Sequence, residues 1–123
     1  SRVPFFRFLN LVIQDIDSLQ ASTEITFDDR LIGNPIMEFY HGGIIASVME
    51  ATAAVAVLPD FADLPVKPIN LTVDFLRPAV RGPLRALADV TRKGKRIASV
   101  GVIAWQEERD RPVAKGLYHF LLV

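Results

Sequence analysis

His41-Gly42-Gly43-Ile44-Ile45-Ala46-Ser47-Val48-Met49-Glu50-Ala51-Thr52-Ala53-Ala54-Val55-Ala56-Val57-Leu58 is the stretch on which the reading of the chain turns. After its two glycines it reads as one helix, rich in alanine and uninterrupted by proline or further glycine. It is apolar nearly all round, which predicts a helix wrapped by protein rather than one lying on a surface. One charge, Glu50, stands inside it, and a carboxylate on a buried helix is expensive unless paired or protonated. The opening His41-Gly42-Gly43 offers no Ser, Thr or Asp cap, so the first N–H groups lack a side-chain acceptor. Bare N–H groups at a helix start favour a carbonyl oxygen or an anion. A nest of donors and one buried carboxylate on a single helix are two parts of an acyl-transfer site.

Upstream of the helix, Leu31 to Tyr40 contains Gly33, Asn34 and Pro35 and reads as a loop. Before it, Thr23 to Phe27 alternates, Ile25 and Phe27 facing one way and Glu24 and Thr26 the other, and Asp28-Asp29-Arg30 ends it. Leu11 to Ile16 reads as a strand, and Pro4 to Leu9 suits a short helix with proline near its start. Downstream, Pro59, Pro65 and Pro68 bracket a second loop, and from Val66 the period becomes two. Leu71, Val73 and Phe75 alternate with Thr72, Asp74 and Leu76. Leu84, Ala86, Ala88 and Val90 alternate with Arg85, Leu87 and Asp89. A hairpin turn at Arg92-Lys93-Gly94-Lys95 leads to a strand from Ile97 to Trp105, and a polar turn from Glu107 to Pro112 leads to a last strand from Val113 to Val123. Strands, one buried helix and four strands in a meander predict an α+β fold: one domain over residues 1–123, its antiparallel sheet curled around a long central helix. A sheet of this size leaves an edge strand unpaired, and edges are covered or used for association, so a dimer is expected.

Composition narrows the function classes. Fourteen Lys plus Arg balance fourteen Asp plus Glu, which argues against a general nucleic-acid binder. There is no cysteine, hence no disulfide, thiol nucleophile or cysteine-ligated zinc, and the chain suits a reducing cytosol. His41 and His119 are far apart in sequence and make a weak metal site, so no metal is expected. His119 alternates with apolar neighbours and reads as a partly buried strand residue. Arg7 interrupts the apolar run at the start, so no signal peptide is expected. The central Glu50 and the many strands argue against a membrane span. Ser47 lacks the strand-to-helix setting of a nucleophile elbow, and the glycines form no phosphate-binding fingerprint.

Gly33-Asn34-Pro35, His41-Gly42-Gly43 and an acid nine residues after the histidine together resemble the hotdog-fold acyl-CoA thioesterases of the phenylacetate-pathway (PaaI-like) type. Phe75-Leu76-Arg77-Pro78-Ala79 and Arg92-Lys93-Gly94-Lys95-Arg96 are similar to later landmarks of that family. The resemblance implies a hotdog fold, a homodimer or dimer of dimers, and hydrolysis of an acyl-CoA thioester in the cytoplasm with no cofactor beyond the coenzyme A of the substrate. It implies that Gly42 is the backbone donor to the thioester oxygen and that Glu50 acts on the carbonyl or on water. By the same resemblance Asn34 positions substrate or water, and His41 and Gly43 shape the substrate-binding helix start. Several polar helpers of relatives are absent, Ala54, Pro68 and Asn70 standing at or near their positions.

Arg77 to Arg96 holds seven of the fourteen basic residues and one acid, Asp89. Such a run is commonly a solvated strand edge. It also suits the phosphates of coenzyme A, which makes Arg77, Arg92, Lys93, Gly94, Lys95 and Arg96 the candidate coenzyme A-binding residues. The alternative to an enzyme is a non-catalytic hotdog module that binds acyl-CoA as ligand or sensor; a purely structural dimerisation domain leaves the buried glutamate without a role.

Overall fold

The computed structural model describes residues 12–17, 20–26, 32–34, 39–57 and 66–122. Among the described residues eight strands and one helix follow in order: β1 (Val12–Asp17), β2 (Gln20–Ile25), β3 (Ile32–Asn34), β4 (Phe39–Tyr40), α1 (Gly42–Val57), β5 (Val66–Phe75), β6 (Leu84–Lys93), β7 (Ile97–Trp105) and β8 (Ala114–Leu122). The short helix expected at Pro4 to Leu9, the Asp28-Asp29-Arg30 end of the second strand, and Pro59 and Pro65 lie outside the described residues.

Six strands form one sheet in the order β1-β2-β6-β7-β8-β5, with every pairing antiparallel. At about 4.8 Å between neighbours, six strands laid flat would be about 24 Å wide, twice the diameter of a helix with its side chains. Yet α1 touches all six. The sheet therefore curls around it, as expected.

Two expectations are corrected. The four strands after the helix are not a simple meander: β6, β7 and β8 are, but β5 pairs with β8 and forms the edge. The connection from β5 to β6 has to pass both β8 and β7. It contains Pro78 and Pro83, with Gly82 at φ 132°, a conformation favourable to glycine alone. The Leu31 to Tyr40 segment is not all loop. Gly33 and Asn34 lie within β3, which pairs with β4 as a two-stranded sheet and so gives backbone groups partners, and Pro35 lies outside the described residues.

Alternation places the core. Leu84, Ala86 and Ala88 of β6, Ala98, Val100, Val102 and Ala104 of β7, and Tyr118 and Phe120 of β8 are buried on the face toward α1. Ile45, Val48, Met49, Val55 and Val57 fill the space from the helix side. The many alanines on β6 and β7 leave little between sheet and helix, so the two close on one another. One polar pair sits inside: Thr52 donates to the Val48 carbonyl at 2.7 Å, which leaves the Thr23 hydroxyl to donate to Thr52 Oγ1, also at 2.7 Å. Tyr40, just before the helix, is buried, its N–H bonded to the Ala79 carbonyl at 2.9 Å and its hydroxyl to the Gly82 carbonyl. These bonds fix the helix start against the loop between β5 and β6.

Candidate active site

α1 begins without a side-chain cap. The His41 carbonyl accepts from the N–H groups of Ile44 and Ile45 at 3.0 and 3.1 Å, which makes His41 the N-cap by its backbone. His41, Gly42 and Gly43 are exposed. Among the described residues, neither the Gly42 nor the Gly43 N–H has an acceptor. The N–H groups that the sequence leaves without a side-chain cap thus lack an acceptor among the described residues. Asn34 closes β3, opposite Phe39 of β4.

The helix is less evenly wrapped than its composition predicts. Gly43, Ala46, Ser47, Glu50 and Ala54 recur at helical spacing along one stripe, and none of them is fully buried. Apart from Glu50 the stripe is made of small residues. Among the described residues the Glu50 carboxylate has no ion pair and no hydrogen bond. Loss of solvent raises its pKa above the usual glutamate value. A structural Arg–Glu pair, the plain explanation of a lone acid in an apolar helix, is thus missing among the described residues.

Tyr118 is the neighbour that sequence reasoning missed. It is fully buried, and its hydroxyl donates to the Ala46 carbonyl at 2.9 Å, one turn before Glu50. Burial, and after it the charge of Glu50, push its phenol well above the usual tyrosine value. The strand alternation assigns Tyr118 to the helix side, but nothing local marks which helical turn it meets.

The basic run divides between the two ends of the sheet. Arg77 donates to the Pro112 carbonyl at 2.6 Å and lines a cleft of about 280 Å³ with Gln106, Glu107, Glu108 and Arg111. Its loop is the one bonded to Tyr40, so Arg77 belongs to the end where α1 starts. Arg92, Lys93, Gly94, Lys95 and Arg96 are exposed on the hairpin at the far end of β6, about 30 Å along the strand from its start. There Lys93 Nζ donates to the Val57 carbonyl at 3.1 Å and satisfies a carbonyl of the last helical turn. Within one chain the structure does not bring the hairpin to the helix start. His119 bonds Ser99 Oγ through Nδ1 at 2.9 Å on the outer face of the sheet, away from α1. Among the described residues no group of three or more His, Asp or Glu side chains could hold a metal ion.

A curved antiparallel sheet closed on one central helix is the hotdog fold of the thioesterase superfamily. The family model for the acyl-CoA thioesterase N-terminal domain matches residues 33–121, and the chain belongs to that family. A solved protein of the thioesterase superfamily is 30% identical, with a TM-score of 0.90, 99% of this chain and 91% of that one being covered. The PaaI protein of E. coli, from its phenylacetic acid degradation operon, has the same fold at 23% identity and a TM-score of 0.86, covering 98% of this chain and 85% of that one. A Saccharolobus solfataricus protein named as a candidate esterase is 27% identical over 97 residues, 79% of this chain and 68% of that protein. Family membership supports the hydrolysis of acyl thioesters in general. No helix among the described residues is long and apolar enough to cross a membrane.

Proposed function

We propose that the chain hydrolyses an acyl-CoA, or a related acyl thioester, to free acid and thiol, in the cytoplasm. The observation that carries this reading is Glu50: a half-buried carboxylate without a partner among the described residues, on the open stripe of a helix whose first N–H groups are also free. The Gly42 N–H donates to the thioester oxygen as it becomes negative, and a lost donor in such a site costs about 3 kcal/mol. Glu50 attacks the carbonyl or takes a proton from water. Asn34, His41 and Gly43 shape the substrate side of the helix start.

Gly42 and Glu50 are eight residues apart, which is about 12 Å along a helix, while reacting groups must meet at about 3–3.5 Å. One helix spans that gap awkwardly. Two antiparallel helices about a two-fold axis bring each start beside the other's glutamate. β5 is an edge strand whose outer backbone edge has no partner among the described residues, and the small residues on the open stripe of α1 permit close approach of a second helix. The working unit is therefore a homodimer, alone or paired into a tetramer. The same two-fold turns the far hairpin of a second copy toward this helix start, where Arg92, Lys95 and Arg96 meet the phosphates of coenzyme A.

The deciding experiment is free-thiol release from a panel of acyl-CoAs by wild type and Glu50→Gln. Gln is nearly isosteric but is neither base nor nucleophile, so turnover falls about a hundredfold or more with the fold retained. Turnover within a few-fold of wild type would remove Glu50 from the chemistry. One observation favours the non-catalytic reading: Ala54, one turn beyond Glu50 on the same stripe, offers no hydroxyl to assist it. Tight acyl-CoA binding with no thiol release would establish that reading.

The coenzyme A assignment has its own test. Neutralising Arg92 and Lys95 together leaves Lys93 on the helix end. It weakens use of acyl-CoA, by less at high salt, and spares a thioester that lacks the nucleotide. Equal loss with both substrates, or none with either, contradicts the assignment.

A further inference from the structure

Phe75 is the last residue of β5, and its ring reaches the helix start. A methyl group built on Gly42 would stand 3.4 Å from Cζ and 3.5 Å from Cε1 of that ring, so the outer edge of the ring lies against Gly42. Beside Gly43 no heavy atom of the described residues comes within 4 Å of the equivalent position. The free donors thus have one aromatic wall and one open side.

The wall continues. In the register of β5 against β8, Leu71 lies opposite Tyr118, Val73 opposite Gly116 and Phe75 opposite Ala114. Opposite residues of an antiparallel pair share a face, and Tyr118 and Ala114 are buried on the face toward α1. Leu71, Val73 and Phe75 therefore project to the helix side. Yet Phe75 is 55% exposed and Leu71 46%, because α1 packs chiefly on β2, β6 and β7 and leaves the β5 flank uncovered. Four residues of strand separate Phe75 from Leu71, about 13 Å. The distance from Gly42 to Glu50 along the helix is about 12 Å. Phe75 meets the first of these, and Leu71 stands opposite the tyrosine bonded one turn before the second.

We propose that Phe75, Val73 and Leu71 form the wall along which the acyl group of the substrate lies, and that these residues determine acyl specificity in favour of long apolar groups. This inference rests on the thioesterase reading above. The thiol arm of coenzyme A is the poorer occupant, because its amides would lie unpaired against three apolar side chains. A hydrocarbon chain loses nothing there and gains burial with every methylene.

The test is kcat/KM over straight-chain acyl-CoAs from acetyl to decanoyl, for wild type, Leu71→Trp and Phe75→Leu, with fold and oligomeric state checked alongside. Wild-type kcat/KM rises with chain length by up to about fourfold per methylene, the value for full burial. Leu71→Trp fills the far end of the wall and lowers the decanoyl-to-butyryl ratio about tenfold, within the range of steric discrimination by apolar pockets. Phe75→Leu keeps an apolar side chain but withdraws the ring from Gly42, and lowers the same ratio by about threefold. If wild type hydrolyses the series and the ratio stays unchanged in the folded variants, the acyl wall is refuted and the thioesterase reading stands. If wild type hydrolyses no thioester, the thioesterase reading falls and this inference falls with it.

Discussion

In the proposed reaction Glu50 draws its chemistry from the same burial that opposes its charge. A carboxylate with a raised pKa is a stronger base, and it works only when deprotonated. The acid limb of kcat/KM against pH is accordingly displaced upward from the position of an ordinary glutamate, and a thiol-release profile in buffers of constant ionic strength measures it. The sign for stability is opposite to that of a salt-bridged acid. Because the folded pKa lies above the unfolded one, the native state holds this proton more tightly. Its contribution to stability is fully present below the unfolded pKa and is lost as pH rises through the folded pKa. Glu50→Gln removes that loss, so the urea midpoint of the variant gains on wild type over this window. A midpoint difference independent of pH would contradict the assignment. Glu50 was legible in the sequence because it is one charge in an apolar segment. Tyr118 was not, because a contact between a late strand and a helical turn leaves no local pattern.

At the scale of elements, alternation reported faces and missed neighbours. Period two placed Leu84, Ala86 and Ala88 on the buried side of β6, and the structure agrees. It carried no information on whether β5 lies beside β6 or β8, since either pairing turns the same side chains toward the helix. The short turns between β6, β7 and β8 were readable as hairpins; the Pro-containing segment from β5 to β6 was the clue to a longer crossing. The donor nest was legible because a helix start without a cap is a local feature. The basic run was legible only as composition, and its division between two ends of the sheet follows from the length of β6. One element-level contact is tight enough to predict. A Cβ on Gly116 of β8 would lie 2.9 Å from Tyr118 Cε1, 3.0 Å from Met49 Cε and 3.2 Å from the Thr72 carbonyl. Met49 can move, but the Tyr118 ring is tied to Ala46 and the Thr72 oxygen is backbone. Gly116→Ala is therefore expected to destabilise the fold by about 1–3 kcal/mol, as overpacking does. A chemical-denaturation midpoint equal to that of wild type would show that β8 and the helix can move apart freely.

At the scale of the whole molecule, a single chain is incomplete for the proposed reaction. One chain leaves an unpaired edge strand, an open stripe on its helix and, for the proposed reaction, donors about 12 Å from the carboxylate. A second copy related by a two-fold axis answers all three. The most direct measurement is complementation between two inactive variants. Gly42→Pro deletes the donor N–H at the first helical position, where proline is tolerated, and Glu50→Gln deletes the carboxylate. Each alone is nearly inactive. When the two are co-expressed, a mixed dimer carries one doubly damaged site and one intact site, so with random pairing roughly a quarter of all sites regain activity in this two-fold assembly. If demonstrably mixed dimers recover no thiol release, donor and carboxylate belong to one chain, and the shared site is contradicted.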